Sequence, residues 1–244
     1  EEFREAFVDA WRLQRDYFYD PHMHGVNWPL MRAKYSELAG RVHDRAELND
    51  LIAQMVGELS MLHTFVVGGD LRHGEDQIEL AFLGAQLAPA SDGAGYEIQH
   101  IYRSDPDRPD KLSPLLRAGV NMAEGDVVIS INGRGLESHV PGELLRGQAG
   151  KPVLLRIRPR GQTGTRDVLV KPLSSQDERD LRYREWEYTR RLAVEQKSAG
   201  EIGYVHLRAM GGNDINQWVE EYSPVFKRQG LIIDVRHNQG GNID

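Results

Sequence analysis

The run Leu231-Ile232-Ile233-Asp234-Val235 sets apolar residues side by side without alternation, then breaks into Arg236-His237-Asn238-Gln239-Gly240-Gly241. Unalternated apolar residues predict a strand covered on both faces, as in a sheet flanked by helices. The two glycines allow a sharp turn and leave backbone N–H groups uncrowded. A loop of that kind can present donors to a developing oxyanion, often the largest electrostatic contribution in acyl transfer. A Gly-Gly pair taken alone is more simply a flexible strand end, so the neighbouring sequence has to decide.

Upstream, Ile202-Gly203-Tyr204-Val205-His206-Leu207 reads as a second strand and residues 214–228 as a helix through Ile215, Trp218, Val219 and Tyr222. Strand, helix and strand make one βαβ unit, parallel and right-handed. The N-terminal part is helical. Phe3, Phe7, Trp11 and the aromatics at 17–19 give its first helix an apolar face, which Asp20-Pro21 ends. Asn27 caps a second helix with Pro29 in its first turn, and Asp44 with Glu47 forms a capping-box pattern for a third. Leu48, Leu51, Ile52, Met55, Val56 and Leu59 recur at helical spacing, so that helix buries one face. Thr64-Phe65-Val66-Val67 then reads as a strand before Gly68-Gly69.

Residues 79–173 differ in texture, with short strands at 97–102, 126–131, 153–157 and 166–170 and a short helix near 142–147. Asn132-Gly133 is a strong hairpin signal. A charged, partly helical bridge covers 174–200. The expected organisation is therefore a helical part (1–75), a β-rich module (76–173), a charged connector (174–200) and the first part of an α/β core (201–244).

Composition narrows the function. A net charge of −7 lacks the excess of basic residues expected of a nucleic-acid binder. No apolar span is long enough for a membrane helix, and a cytoplasmic setting is expected. Zero cysteines exclude disulfides, thiolate zinc sites and a cysteine nucleophile. Glu1 in place of Met, and a chain that stops just past the glycine loop, are expected of a piece of a longer polypeptide.

Four motifs carry a family resemblance. Residues 113–120, Ser-Pro-Leu-Leu-Arg-Ala-Gly-Val, with Glu124-Gly125-Asp126-Val127-Val128-Ile129-Ser130-Ile131-Asn132-Gly133, resemble a PDZ domain of the protease type. Gly203-Tyr204-Val205-His206-Leu207 and the run from Leu231 to Gly241 resemble the core of the S41 serine peptidases, within them the tricorn-like enzymes. Tyr19-Asp20-Pro21, His24-Gly25-Val26-Asn27-Trp28 and Glu58-Leu59-Ser60-Met61-Leu62-His63 resemble that family's helical subdomain. The resemblance spans nearly the whole chain, in the family's order.

It implies an α/β fold: a helical subdomain and a βαβ core of the ClpP/crotonase-like kind, with an inserted PDZ-like domain. It implies a serine endo- or exopeptidase that needs no cofactor, acts on peptides and forms a homo-oligomer when full length. His63 falls at the position of the family's catalytic base, and Gly240 and Gly241 fall in the loop that supplies one oxyanion-hole N–H. The nucleophilic serine is implied to lie beyond Asp244, since no serine here occupies a G-x-S-x-G elbow. Residues 1–244 alone are expected to be inactive. Where archaeal tricorn resembles T-S-H, this chain has Leu62 before His63, so Ser60 or Thr64 is left to take the helper's place.

Two other functions remain open. One is a non-catalytic scaffold whose PDZ-like module captures peptide ends, with Phe82-Leu83-Gly84-Ala85 as the carboxylate loop. The other is a carboxyl-terminal processing peptidase with a Ser-Lys dyad, which would not need His63. His22 and His24 read as surface or turn residues without a third metal ligand. Asp234 and Arg236 read as a structural ion pair, His237 as a loop residue near the oxyanion hole, and Trp218 with the first-helix aromatics as core.

Overall fold

The computed structural model describes residues 1–71, 74 and 78–241, and the chain divides into two compact units, Glu1–Gln77 and Ile78–Asp244. The first holds α1 (Glu2–Tyr17), α2 (Trp28–Ala39) and α3 (Arg45–Gly57). Asn27 accepts from Leu30 N and Asp44 from Glu47 N, as their positions predict. Glu47 reaches back to His43 N rather than to the N-cap residue itself. Phe7, Trp11, Trp28, Leu48 and Met55 meet in the core. The two indoles are reciprocal: Trp11 Nε1 donates to Trp28 O (2.9 Å) and Trp28 Nε1 to Trp11 O (3.1 Å). Each buried N–H is thereby satisfied, and α1 is locked to α2.

Not every first-helix aromatic is core, since Tyr17 and Tyr19 are exposed. Thr64-Phe65-Val66-Val67 is not a strand. The described part of this unit is helical and offers it no partner, and β propensity without a partner strand does not make a sheet.

The second unit opens with β1 (Ala81–Phe82), β2 (Ala85–Pro89), β3 (Tyr96–Ile101), β4 (Val127–Ile131) and β5 (Arg134–Gly135). α4 (Pro141–Leu144), β6 (Val153–Arg158), β7 (Arg166–Val170) and β8 (Leu173–Ser174) follow. An antiparallel sheet runs β2-β3-β4-β6-β7, with β5 on β4 and β1 paired separately to β8. Asn132 and Gly133 both take positive φ (50° and 78°), as a two-residue hairpin turn between β4 and β5 requires. Val153, Leu155 and Ile157 of β6 point inward while Leu154 and Arg156 point out, the alternation of a one-sided sheet.

The charged connector is one long helix, α5 (Ser175–Lys197), capped by Ser174. β9 (Ile202–His206), α6 (Gly212–Tyr222) and β10 (Gly230–Asp234) form the βαβ unit, with β9 and β10 parallel and Asp234 opposite His206. The α6 helix is shorter than the sequence pattern suggests, ending at Tyr222 rather than near Arg228.

Two expectations fail here for one reason. Ile232, Ile233 and Val235 are 45%, 50% and 54% exposed, so the apolar strand is not covered on both faces. Trp218 is only half-buried, with Ile215 and Val219 exposed beside it. α5 and α6 both pack on β9, whose residues 203–206 are buried, and β10 with the outer side of α6 is left at the margin of these layers. No described helix is long and apolar enough to cross a membrane.

Candidate functional site

His63 lies in an exposed stretch that follows α3 and is tied down at both ends. Before it, His24 Nδ1 donates to Leu59 O (2.8 Å). The other ring nitrogen of His24 meets the Tyr19 hydroxyl. After it, Asn49 Nδ2 donates to Gly68 O (2.9 Å). His24 is thus more than a turn residue: the carbonyl only accepts, so Nδ1 carries the hydrogen and the ring clasps the end of α3. His63 has φ of 67°, uncommon for a residue other than Gly and tolerated best by Asn, Asp and His. Its side chain is exposed, and among the described residues neither Ser60 nor Thr64 hydrogen-bonds to it.

Gly240 and Gly241 sit in a loop lashed to the segment that leaves β9. Gln239 N donates to Arg208 O (3.0 Å) and Met210 N to Gly240 O (2.7 Å). Gly240 N donates to Asn238 Oδ1 (2.7 Å), closing a turn two residues wide. Of the two glycine N–H groups, Gly240's is therefore engaged, while no described residue accepts Gly241's. A Cβ on Gly241 would lie 2.5 Å from the Met210 carbonyl, whereas one on Gly240 would meet nothing within 4 Å. His237, just upstream, has φ of 60° and packs edge-on to Trp186 of α5 (5.6 Å between centroids).

A buried polar framework supports the loop. Asp234 accepts from Tyr204 Oη (2.7 Å), Arg236 N (3.0 Å) and Arg236 Nε (2.9 Å). The Arg236 guanidinium, its backbone N–H and the Tyr204 hydroxyl outweigh burial and hold this carboxyl well below the usual range. The predicted ion pair therefore exists and anchors the strand end. His206 is buried, donates from Nδ1 to Asp234 O (2.8 Å) and meets the Tyr183 hydroxyl at Nε2 (2.8 Å). Arg208, partly buried, bonds Glu187 Oε1 (2.6 Å) and Asp180 Oδ1 (2.8 Å) on α5. Sequence reasoning missed Asn238, His206 and Arg208. Only Asn238 left a signal, an asparagine two residues before a glycine pair, where its side chain can close a turn.

The Phe82-Leu83-Gly84-Ala85 loop is packed rather than open. Gly84 has φ of 71°, and a Cβ there would lie 2.6 Å from Ser113 Oγ and 3.1 Å from Leu181 Cδ2 of α5. Its carbonyl already accepts from Tyr102 N and from Ser113 Oγ. Glu178 of α5 is 8% exposed, and Oε2 has no partner among the described residues. Burial pushes its carboxyl up from 4.5 to about 7, against the opposing pull of Arg182 and the Gly84 N–H. The fold accepts the protonated form, so stability falls as pH rises from 4.5 through 7, and the full penalty is present above that. Glu178→Gln is expected to stabilise the protein by up to about 3 kcal/mol at pH 8 and hardly at all at pH 4. Urea unfolding at the two pH values checks this, and an equal effect at both would refute it.

The chain is similar to known proteins along most of its length. Residues 1–57 match the family profile of the tricorn protease C1 domain, 81–175 the tricorn protease PDZ domain, and 201–244 peptidase family S41. Tricorn protease homolog 1 of Streptomyces coelicolor is 36% identical over 244 residues, which cover 99% of this chain and 22% of the relative. A putative tricorn-like protease C-terminal subunit of Sulfurisphaera tokodaii is 32% identical, with 99% of this chain and 27% of the relative covered. The crystal structure of the tricorn protease superposes with a TM-score of 0.86 at 26% identity, covering 99% of this chain and 23% of that one. The chain thus spans roughly a quarter of the length of the proteins it matches.

Proposed function

As a member of the tricorn protease family, we propose, the chain contributes the general base and one oxyanion donor of a serine peptidase, the nucleophilic serine coming from outside residues 1–244. The observation that carries this reading is the Gly240-Gly241 turn. It is fixed by hydrogen bonds to neighbouring backbone and side chain; Gly240 N–H is engaged internally, and no described residue accepts Gly241 N–H. Gly241 is accordingly the donor and Gly240 the turn former.

His63 removes the serine hydroxyl proton as the oxygen attacks the peptide carbonyl. The carbonyl π electrons move onto its oxygen, which Gly241 N–H receives. Collapse breaks the C–N bond, and His63 returns the proton to the departing amine. Water then repeats the sequence on the acyl-enzyme and releases the acid. With Leu62 beside it, His63 has no serine helper from that neighbour, and its backbone tethers at Leu59 and Gly68 take over part of the positioning. Peptides are the substrates and a homo-oligomer the assembled state. The PDZ-like module serves chiefly as architecture, because Glu178 and Leu181 already lie over Gly84.

A fluorophosphonate probe tests the reading on the complete polypeptide that contains this chain. The expected result is one serine labelled per chain, outside residues 1–244, with parallel loss of hydrolysis of a chromogenic peptide amide. An active polypeptide that the probe neither labels nor inhibits would remove the serine mechanism.

A further inference from the structure

We propose that Asn238 is the positioning residue of the oxyanion loop, through a side-chain amide that bonds in two directions at once; this rests on the peptidase reading above. Asn238 Nδ2 donates to Leu207 O (2.8 Å), just past the end of β9, while Oδ1 accepts from Gly240 N (2.7 Å). One planar group therefore fixes both the curvature of the glycine turn and its distance from the parallel strand pair.

No other side chain of that size supplies both roles. Aspartate keeps the acceptor but sets a carboxylate against the Leu207 carbonyl, and alanine loses both bonds. The neighbouring tethers, Gln239 N to Arg208 O and Met210 N to Gly240 O, are backbone bonds that hold the loop near the segment 207–210. The Met210 bond to Gly240 O holds the 240–241 peptide, which carries Gly241 N–H, and the Asn238 bond to Gly240 N holds the 239–240 peptide before it. Gly240 has no Cβ to restrict the angle between the two planes, so the aim of Gly241 N–H depends on both bonds. His237, held at φ of 60° immediately before, delivers Asn238 into this position.

The amide touches neither substrate nor reacting atoms, so its effect is to aim the donor at the tetrahedral intermediate rather than at the ground state. An interaction made only in the transition state lowers kcat and kcat/KM together and leaves KM in place. A purely structural residue would instead lower the fraction of folded enzyme and leave the kinetics per active site untouched.

The experiment compares Asn238→Ala and the isosteric Asn238→Asp in the complete polypeptide, with active sites titrated by a fluorophosphonate. Both variants are expected to lose about 10- to 1,000-fold in kcat per titrated site with KM changed less than about threefold. Affinity for a peptide aldehyde, which forms a tetrahedral adduct, falls in step with kcat/KM, and affinity for the peptide acid product does not. If Asn238→Ala does not fold, Asn238→Asp, which keeps the volume, carries the measurement. Wild-type kcat per titrated site in Asn238→Asp would overturn the proposal, as would equal losses for aldehyde and product. A wild-type polypeptide that neither hydrolyses peptides nor takes the probe would instead overturn the peptidase reading beneath it.

Discussion

Replacing His63 by asparagine in the complete polypeptide is expected to lower kcat for peptide hydrolysis by about 10³- to 10⁶-fold, with the melting temperature unchanged. The size follows from the role: without the base, the serine hydroxyl attacks with its proton still in place, and what survives is binding and oxyanion stabilisation. The unchanged stability follows from the structure. His63 is exposed, so little packing is lost. Its φ of 67° suits asparagine better than alanine, which makes asparagine the cleaner variant. Retained hydrolysis would end the assignment and favour the Ser-Lys peptidase, while a wild type that binds peptides without cleaving them would favour the scaffold.

The second large effect is expected at Gly241. Alanine there places a Cβ 2.5 Å from the Met210 carbonyl carbon and oxygen, backbone atoms that Met210 N ties to Gly240 O. The loop or the segment beneath it must move, and a displaced donor costs about 10²- to 10³-fold in kcat. Stability falls by about 1–3 kcal/mol, the usual range for overpacking. Gly240→Ala is the control, since its Cβ meets nothing within 4 Å and only its φ of 78° is unfavourable. It is expected to cost about 1 kcal/mol of stability and much less activity. Equal kinetic losses at the two positions would show that Gly241 is not the specific donor.

Much of the architecture was legible because its signals are local. The caps at Asn27 and Asp44, the Asn132-Gly133 turn and the inward alternation of β6 each depend on residues within a few positions. Thr64-Phe65-Val66-Val67 misled because strand propensity counts only where a partner strand exists. The continuous apolar run of β10 misled in part because burial is a property of layers, and α5 and α6 cover β9 rather than β10. At the site, the sequence marked His63 and the glycine pair through motif resemblance. It did not mark His24, whose ring reaches Leu59 O across 35 residues, or His206, whose partners come from α5 and β10.

The glycine pair divides the two kinds of information. Sequence alone determined that a strand ends in a turn there and that backbone donors are available, because two adjacent residues without a Cβ suffice for both. Which glycine N–H is held inside the turn, and hence which one we propose as the donor, came only from tertiary structure. Asn238 engages Gly240 N while also holding Leu207 O, 31 residues earlier, and Met210 leaves no room for a Cβ at Gly241. Those constraints come from atoms that meet only when β9 and β10 pair in parallel, and no window of local sequence contains them.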